Sequence, residues 1–208
     1  MKIPQKRQKP KQAHQQINQT SGNVEFHTPP RILTAVRALM GRIDLDPASS
    51  PAANLEVGAE KFYTKEQDGL HKKWKGKVWM NHPFGFAENA CDPQFTGKPC
   101  EKKICARRGY HQVADYPGNA GWVNKLIESY KSGQVREALC ICFAATSETW
   151  FQPLIRDYPV CFLYPRTNYH NSKGRLVKGV SKGSVVFYLG RNVAAFKNLF
   201  SALGAVKI

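Results

Sequence analysis

The sequence predicts an α/β fold, an open sheet with helices on both faces, and three observations carry that expectation. Short apolar runs of strand type alternate with amphipathic helical patterns along most of the chain. Glu137 to Phe143 is a continuous apolar run, the mark of a strand buried on both faces. Lys77-Val78-Trp79-Met80 ends abruptly in Asn81-His82-Pro83-Phe84-Gly85, so a buried strand opens there into a loop. Ligand chemistry in open α/β sheets sits at such strand ends.

With 208 residues and 42% hydrophobic composition the chain is long enough for one well-buried domain and short for two. Residues 1 to 22, basic, rich in glutamine and free of acids, have the composition of a disordered arm, which leaves 23 to 208 as the domain. The net charge of +16 favours a polyanionic partner, with nucleic acid the first candidate. No apolar run approaches the roughly 20 residues that span a bilayer, and no signal-peptide core is present, so a soluble, cytoplasmic protein is expected. The six cysteines are then thiols or metal ligands rather than a disulfide framework.

Thr28 is placed as the N-cap of a helix with proline at its first position; apolar residues follow at 32, 33, 36, 39 and 40, and Gly41 ends it. Arg42-Ile43-Asp44-Leu45-Asp46-Pro47 then reads as a strand closing on a carboxylate beside small residues, a place for a cation or a hydroxylated ligand or simply a turn. Asp68-Gly69 is a turn, and Trp74 is expected in the core. A helix is expected from about 122 to 131 with Gly133 behind it. Thr149-Trp150-Phe151 borders another helix. Val160 to Leu163 and Ser184 to Leu189 are strands, and Val193 to Leu203 is a closing helix.

Between the last two strands, polar, basic and aromatic residues interleave. Arg166, Asn168, Tyr169, Lys173, Arg175 and Lys178 supply the cations, amide and ring that a nucleic-acid contact loop requires, although a solvated hairpin loop has much the same composition.

The order of these features resembles the phage-type DNA N6-adenine methyltransferase family. The likeness runs from Thr28-Pro29 through Asp46-Pro47, Asp68-Gly69-Leu70 and Asn81-His82-Pro83-Phe84, resumes at Trp122, and continues through Ala144 to Phe151 and Gly183 to Gly190. It implies a Rossmann-like, S-adenosylmethionine-dependent sheet and transfer of a methyl group to adenine N6 of a flipped-out base in double-stranded DNA. It assigns catalysis to Asn81, His82, Pro83 and Phe84, and the cofactor to Thr28, Pro29, Asp46, Pro47 and Asp68. His82 stands where the family usually has a proline, but the role there belongs to the backbone carbonyl. The same tetrapeptide serves N4-cytosine transfer, and a DNA-binding relic without activity is the reading from another class.

Residues from about 87 to 119 look like an insertion into this pattern. Cys91, Cys100, Cys105 and His111 match a tetrahedral zinc set in type, and a loop-rich insert without an apolar core benefits from a metal. The alternative is reduced thiols packed on the domain. The insert's Lys98, Lys102, Lys103, Arg107 and Arg108 suit an arm over DNA.

Overall fold

The computed structural model describes residues 26–92, 105, 111–170, 175, 176 and 182–208. The basic arm, Cys100, Lys173, Lys178 and the insert's basic residues lie outside them.

The elements are α1 (Pro30–Met40), β1 (Ile43–Asp46), α2 (Pro51–Val57), β2 (Ala59–Phe62), a 3₁₀ turn (Gly69–His71), β3 (Gly76–Met80), α3 (Gly118–Lys131), β4 (Val135–Phe143), α4 (Gln152–Asp157), β5 (Val160–Leu163), β6 (Ser184–Leu189), α5 (Val193–Phe200) and β7 (Gly204–Lys207). They build one seven-stranded sheet in the order β2-β1-β3-β4-β6-β5-β7. The β2, β1, β3 and β4 ladders are parallel, and β6 runs antiparallel to both β4 and β5, with β7 antiparallel to β5.

The expected helices on both faces are present, and the central strands show why. On β3 and β4, Trp79, Leu139 and Ile141 join Leu33, Val36, Phe196 and Phe200 in one core against α1 and α5. Their neighbours Val78, Met80, Ala138, Cys140 and Cys142 join Trp122, Leu126, Phe151 and Leu154 in the other, against α3 and α4. Strand side chains alternate between faces, so a strand covered on both sides must be apolar at every position. Trp79 and Trp74 are fully buried, and truncating a ring of that size in a packed core costs about 3–5 kcal/mol.

Two expectations about local structure are corrected. Thr28 is not the N-cap of α1: Pro29 occupies that position and Pro30 begins the helix, because two prolines in succession place the extended residue one step later. Tyr169, expected in a DNA-contact loop, is 1% exposed and belongs to the α1-side core, where its hydroxyl bonds Ser184 Oγ at 2.8 Å. Burial pushes its phenol well above the ordinary tyrosine range. The elements α2, β2 and β7 arise in stretches with little periodicity. Ser50 caps α2 through Ala53 N–H, and β2 and β7 are edge strands that alternate only weakly.

This topology positions the site. The chain leaves β1 for β2 on one side and returns to lay β3 on the other side of β1, so the loops leaving β1 and β3 diverge. Such a switch point opens a crevice beyond the carboxyl ends of the two strands. Asp46 ends β1, and Asn81 follows β3.

Candidate active site

Asn81 is held by the segment that precedes α1. Its Nδ2 donates to the Phe26 carbonyl at 2.7 Å and to Thr28 Oγ1 at 3.1 Å. A carbonyl oxygen can only accept, which fixes the orientation of the Asn81 amide. Both amide hydrogens are therefore committed, and Oδ1 is left as an acceptor that takes no hydrogen bond among the described residues.

His82 is turned the other way. Its ring is 1% exposed, lies stacked 6.3 Å from Trp122, and meets Phe84 edge-on at 5.5 Å. Asn119 Oδ1 accepts from Gly85 N–H at 3.4 Å, which identifies it as the oxygen, so His82 Nε2 carries the hydrogen in the 3.1 Å contact between them. The imidazole thus packs beneath the loop while its backbone carbonyl, like Asn81 Oδ1, accepts nothing among the described residues. Asn119 N–H also donates to the Gly85 carbonyl at 2.9 Å, and the Tyr116 hydroxyl donates to the Pro83 carbonyl at 2.8 Å. Burial raises the Tyr116 phenol to about 12, so it stays protonated and donating.

Phe84 lies over both cores, 4.4 Å from the Phe143 ring and 6.1 Å from Tyr169. With Phe86, Asn119, Phe143, Glu148, Trp150 and Lys182 it lines a shallow cleft between the loops that leave β3 and β4.

At the end of β1, Asp46 is 2% exposed, and its Oδ1 accepts from Ala48 N–H at 3.1 Å. No cation pairs with it among the described residues. Burial raises its carboxyl to about 7, opposed by the Ala48 N–H and the Ser49 side chain. A buried, unpaired carboxylate is costly unless a ligand completes it. The Asp68-Gly69 turn packs directly on this strand end: a Cβ at Gly69 would run into the Pro47 carbonyl oxygen. Asp68 adopts a left-handed conformation, φ 50°, and bonds His71 Nδ1 at 2.6 Å.

The tertiary structure therefore brings Thr28 and Pro29 to Asn81, and Asp46 and Pro47 to the Asp68 turn. The chain from β1 to α3 and beyond matches a family model over residues 18–202, described as DNA N-6-adenine-methyltransferase (Dam). The chain belongs to this family. Its α/β sheet is the Rossmann-like methyltransferase fold, and family membership supports methylation of adenine in DNA. No curated protein and no solved structure gives a significant match.

In this member of the DNA N-6-adenine-methyltransferase family, the loop after β5 is joined to the segment before α1. His27 and His170 exchange backbone hydrogen bonds of 2.8 and 3.2 Å, which ties that loop to the segment holding Asn81. Arg166, Asn168 and Arg175 are exposed on it, whereas Tyr169 points inward and braces Phe84. Asn119, Tyr116 and the Phe26 carbonyl are site residues that sequence reasoning missed. The only signal for them was their place at the end of the insert and just before Thr28, which says nothing of their partners. Among the described residues no helix is long and apolar enough to cross a membrane.

Proposed function

We propose that the protein transfers a methyl group from S-adenosylmethionine to adenine N6 of a base turned out of double-stranded DNA. The observation that carries the reading is the fixed amide of Asn81, whose two hydrogens are spent on Phe26 and Thr28 so that Oδ1 is offered as an acceptor.

The adenine amino nitrogen is a poor nucleophile because its lone pair is delocalised into the ring. Asn81 Oδ1 and the residue-82 carbonyl accept its two hydrogens, favour the pyramidal nitrogen and steer the lone pair outward. Neither acceptor needs to reorient, since the amide is already tied and the loop is held from below by Asn119 and Tyr116. Phe84 presents a ring to the flipped base, and the aromatic lining of the cleft, Phe86 and Trp150, extends that surface. Pro83 fixes the backbone between acceptor and ring.

S-adenosylmethionine, when bound, supplies an electrophilic methyl group on a sulfonium. The residues at the end of β1 fit such a ligand: Asp46 is a buried carboxyl group with no cation partner among the described residues, able to pair with an ammonium or accept from a hydroxyl. Pro47 shapes the turn beside it, Asp68 lies on the adjoining loop, and Thr28, followed by Pro29, is bonded to Asn81 at the end of the neighbouring strand. The +16 net charge and the exposed Arg166, Asn168 and Arg175 serve the phosphate backbone.

The test is incubation of the full chain with labelled S-adenosylmethionine and unmethylated DNA, followed by identification of the modified nucleoside. N6-methyladenine that disappears with Asn81→Ala is the expected result. N4-methylcytosine would move the acceptor, and cofactor binding without transfer to any DNA would identify an inactive DNA-binding member.

A further inference from the structure

The insert between β3 and α3 carries a second assembly that methyl transfer does not use. Its two arms run antiparallel out of the catalytic loop. Glu88 and Tyr116 exchange backbone hydrogen bonds of 2.8 and 2.7 Å, and Cys91 N–H donates to the Gln112 carbonyl at 2.7 Å. Ala90 N–H adds a bond to Asp115 Oδ1 at 2.7 Å. At the far end of these arms Cys91, Cys105 and His111 converge, with their three ligand atoms within 4.8 Å of one another.

The cluster is not an extension of the core. Cys91 and Cys105 are buried, 9% and 1% exposed, yet they form a group of their own apart from both faces of the sheet. No other apolar side chain is buried with them among the described residues. Nearby Phe86 and Val113 are 66% and 92% exposed, so among the described residues the arms have no apolar interior. A tip built on two thiols and an imidazole gains order from a metal that joins them.

The sulfur geometry excludes a disulfide and brings the ligand atoms to within a short adjustment of a metal-binding spacing. The two Sγ atoms lie 3.3 Å apart, well beyond the roughly 2.05 Å of a disulfide. Ligand atoms on a tetrahedral zinc ion are separated by roughly 3.5–3.8 Å, as follows from Zn–S near 2.3 Å and Zn–N near 2.0 Å. Gln112 N–H also donates to Cys91 Sγ at 3.3 Å, which fixes that sulfur toward the other two ligand atoms.

We propose that Cys91, Cys105 and His111 bind a structural zinc ion that staples the two arms of the insert. Two thiolates and an imidazole are the donor set zinc prefers over harder cations. Cys100, grouped with them from the sequence, lies outside the described residues, and the inference stands on the three that are placed. The site's role follows from what the arms hold. Tyr116, two hydrogen bonds from the cluster, donates to the Pro83 carbonyl, and Gly118 at φ 62° packs against the backbone of Phe86 and Ala87. Closing the tip with metal therefore fixes the underside of the catalytic loop without touching substrate.

Metal analysis of the full chain, purified without added zinc, tests this directly. About one equivalent of zinc per chain is expected. Cobalt exchanged into the site should give thiolate-to-metal charge-transfer and tetrahedral d–d absorption. Cys105→Ser and His111→Ala should lose the metal, whereas Cys161→Ala, a buried thiol on β5, should keep it. His111→Cys replaces one ligand with another and should retain zinc, which guards against variants that fail merely by unfolding. Folded wild-type protein with far less than one equivalent, a Cys91–Cys105 disulfide in freshly prepared protein, or zinc retained in Cys105→Ser would overturn the proposal.

Discussion

Two neighbouring strand ends face one crevice and are built on opposite principles. Beyond β3 the loop is tied at successive residues: Asn81 to Phe26 and Thr28, His82 and Gly85 to Asn119, Pro83 to Tyr116. At the end of β1 the important group is left incomplete, since among the described residues Asp46 is buried with a backbone N–H and no cation. On the function proposed above, the difference separates two tasks. A group that must meet a transition state is preorganised by the protein, so nothing rearranges during reaction. A group that must capture a charged ligand is left unsatisfied, at a cost to stability that binding removes.

The sharpest way to break the comparison is Asn81→Asp. The side chain keeps its shape and its acceptor but loses both donors, leaving the Phe26 carbonyl facing a carboxylate. Transfer to DNA should fall by about 10²–10³, read in single-turnover assays, while cofactor affinity changes by less than about threefold. A drop in affinity as large as the drop in rate would show that the two strand ends are not separable.

Asp46→Asn addresses the other side. The folded carboxyl titrates near 7, above the unfolded value near 4, so between those pH values the native state holds the extra proton. Stability of the ligand-free protein should therefore fall as pH rises from about 4 to 7, and the deficit should be complete above 7. Three pKa units correspond to at most about 4 kcal/mol. Asp46→Asn should flatten that slope and stabilise the ligand-free protein at pH 8, measured by urea unfolding at pH 5 and 8. It should also weaken S-adenosylmethionine binding, whose affinity in the wild type should rise with pH up to about 7 and then level off.

A smaller effect is expected from Asn119→Ala, which removes the acceptor beneath His82 and Gly85. Loss of a partner for a buried imidazole N–H costs about 1–3 kcal/mol of stability, and the rate of transfer should drop while cofactor affinity holds. Thermal unfolding and single-turnover rates together check this. The smallest change is Tyr169→Phe. Removing its bond to Ser184 should cost about 1–2 kcal/mol of stability and leave DNA affinity unchanged, as measured by titration with duplex DNA. A loss of DNA affinity without loss of stability would return Tyr169 to the contact surface.

The central strands and the long helices were legible because their sequence period is set by burial. β4 reads as continuous apolar residues from Ala138 to Phe143 since both of its faces are covered there, and α1 and α3 repeat at helical spacing since one face is. α2, β2 and β7 were missed because short, partly exposed elements at an edge are held by caps and ladder bonds rather than by an apolar pattern. Tyr169 was misplaced for a related reason. A ring among cations and amides has the composition of a contact loop, but the fold buries it against Phe84, Phe143 and Phe26.

By itself the sequence determined the α/β class, the strand end that bears Asn81 to Phe84, the carboxylate at Asp46 and the cysteine-bearing insert, since each is a local arrangement of residue types. Only the tertiary structure decided how those pieces work. It assigned both hydrogens of the Asn81 amide to residues 55 and 53 positions away, turned His82 into the core, and buried the Asp46 carboxyl against the Ala48 N–H. Hydrogen-bond partners and desolvation depend on which segments the sheet order brings together, and strand order is a property of the whole chain.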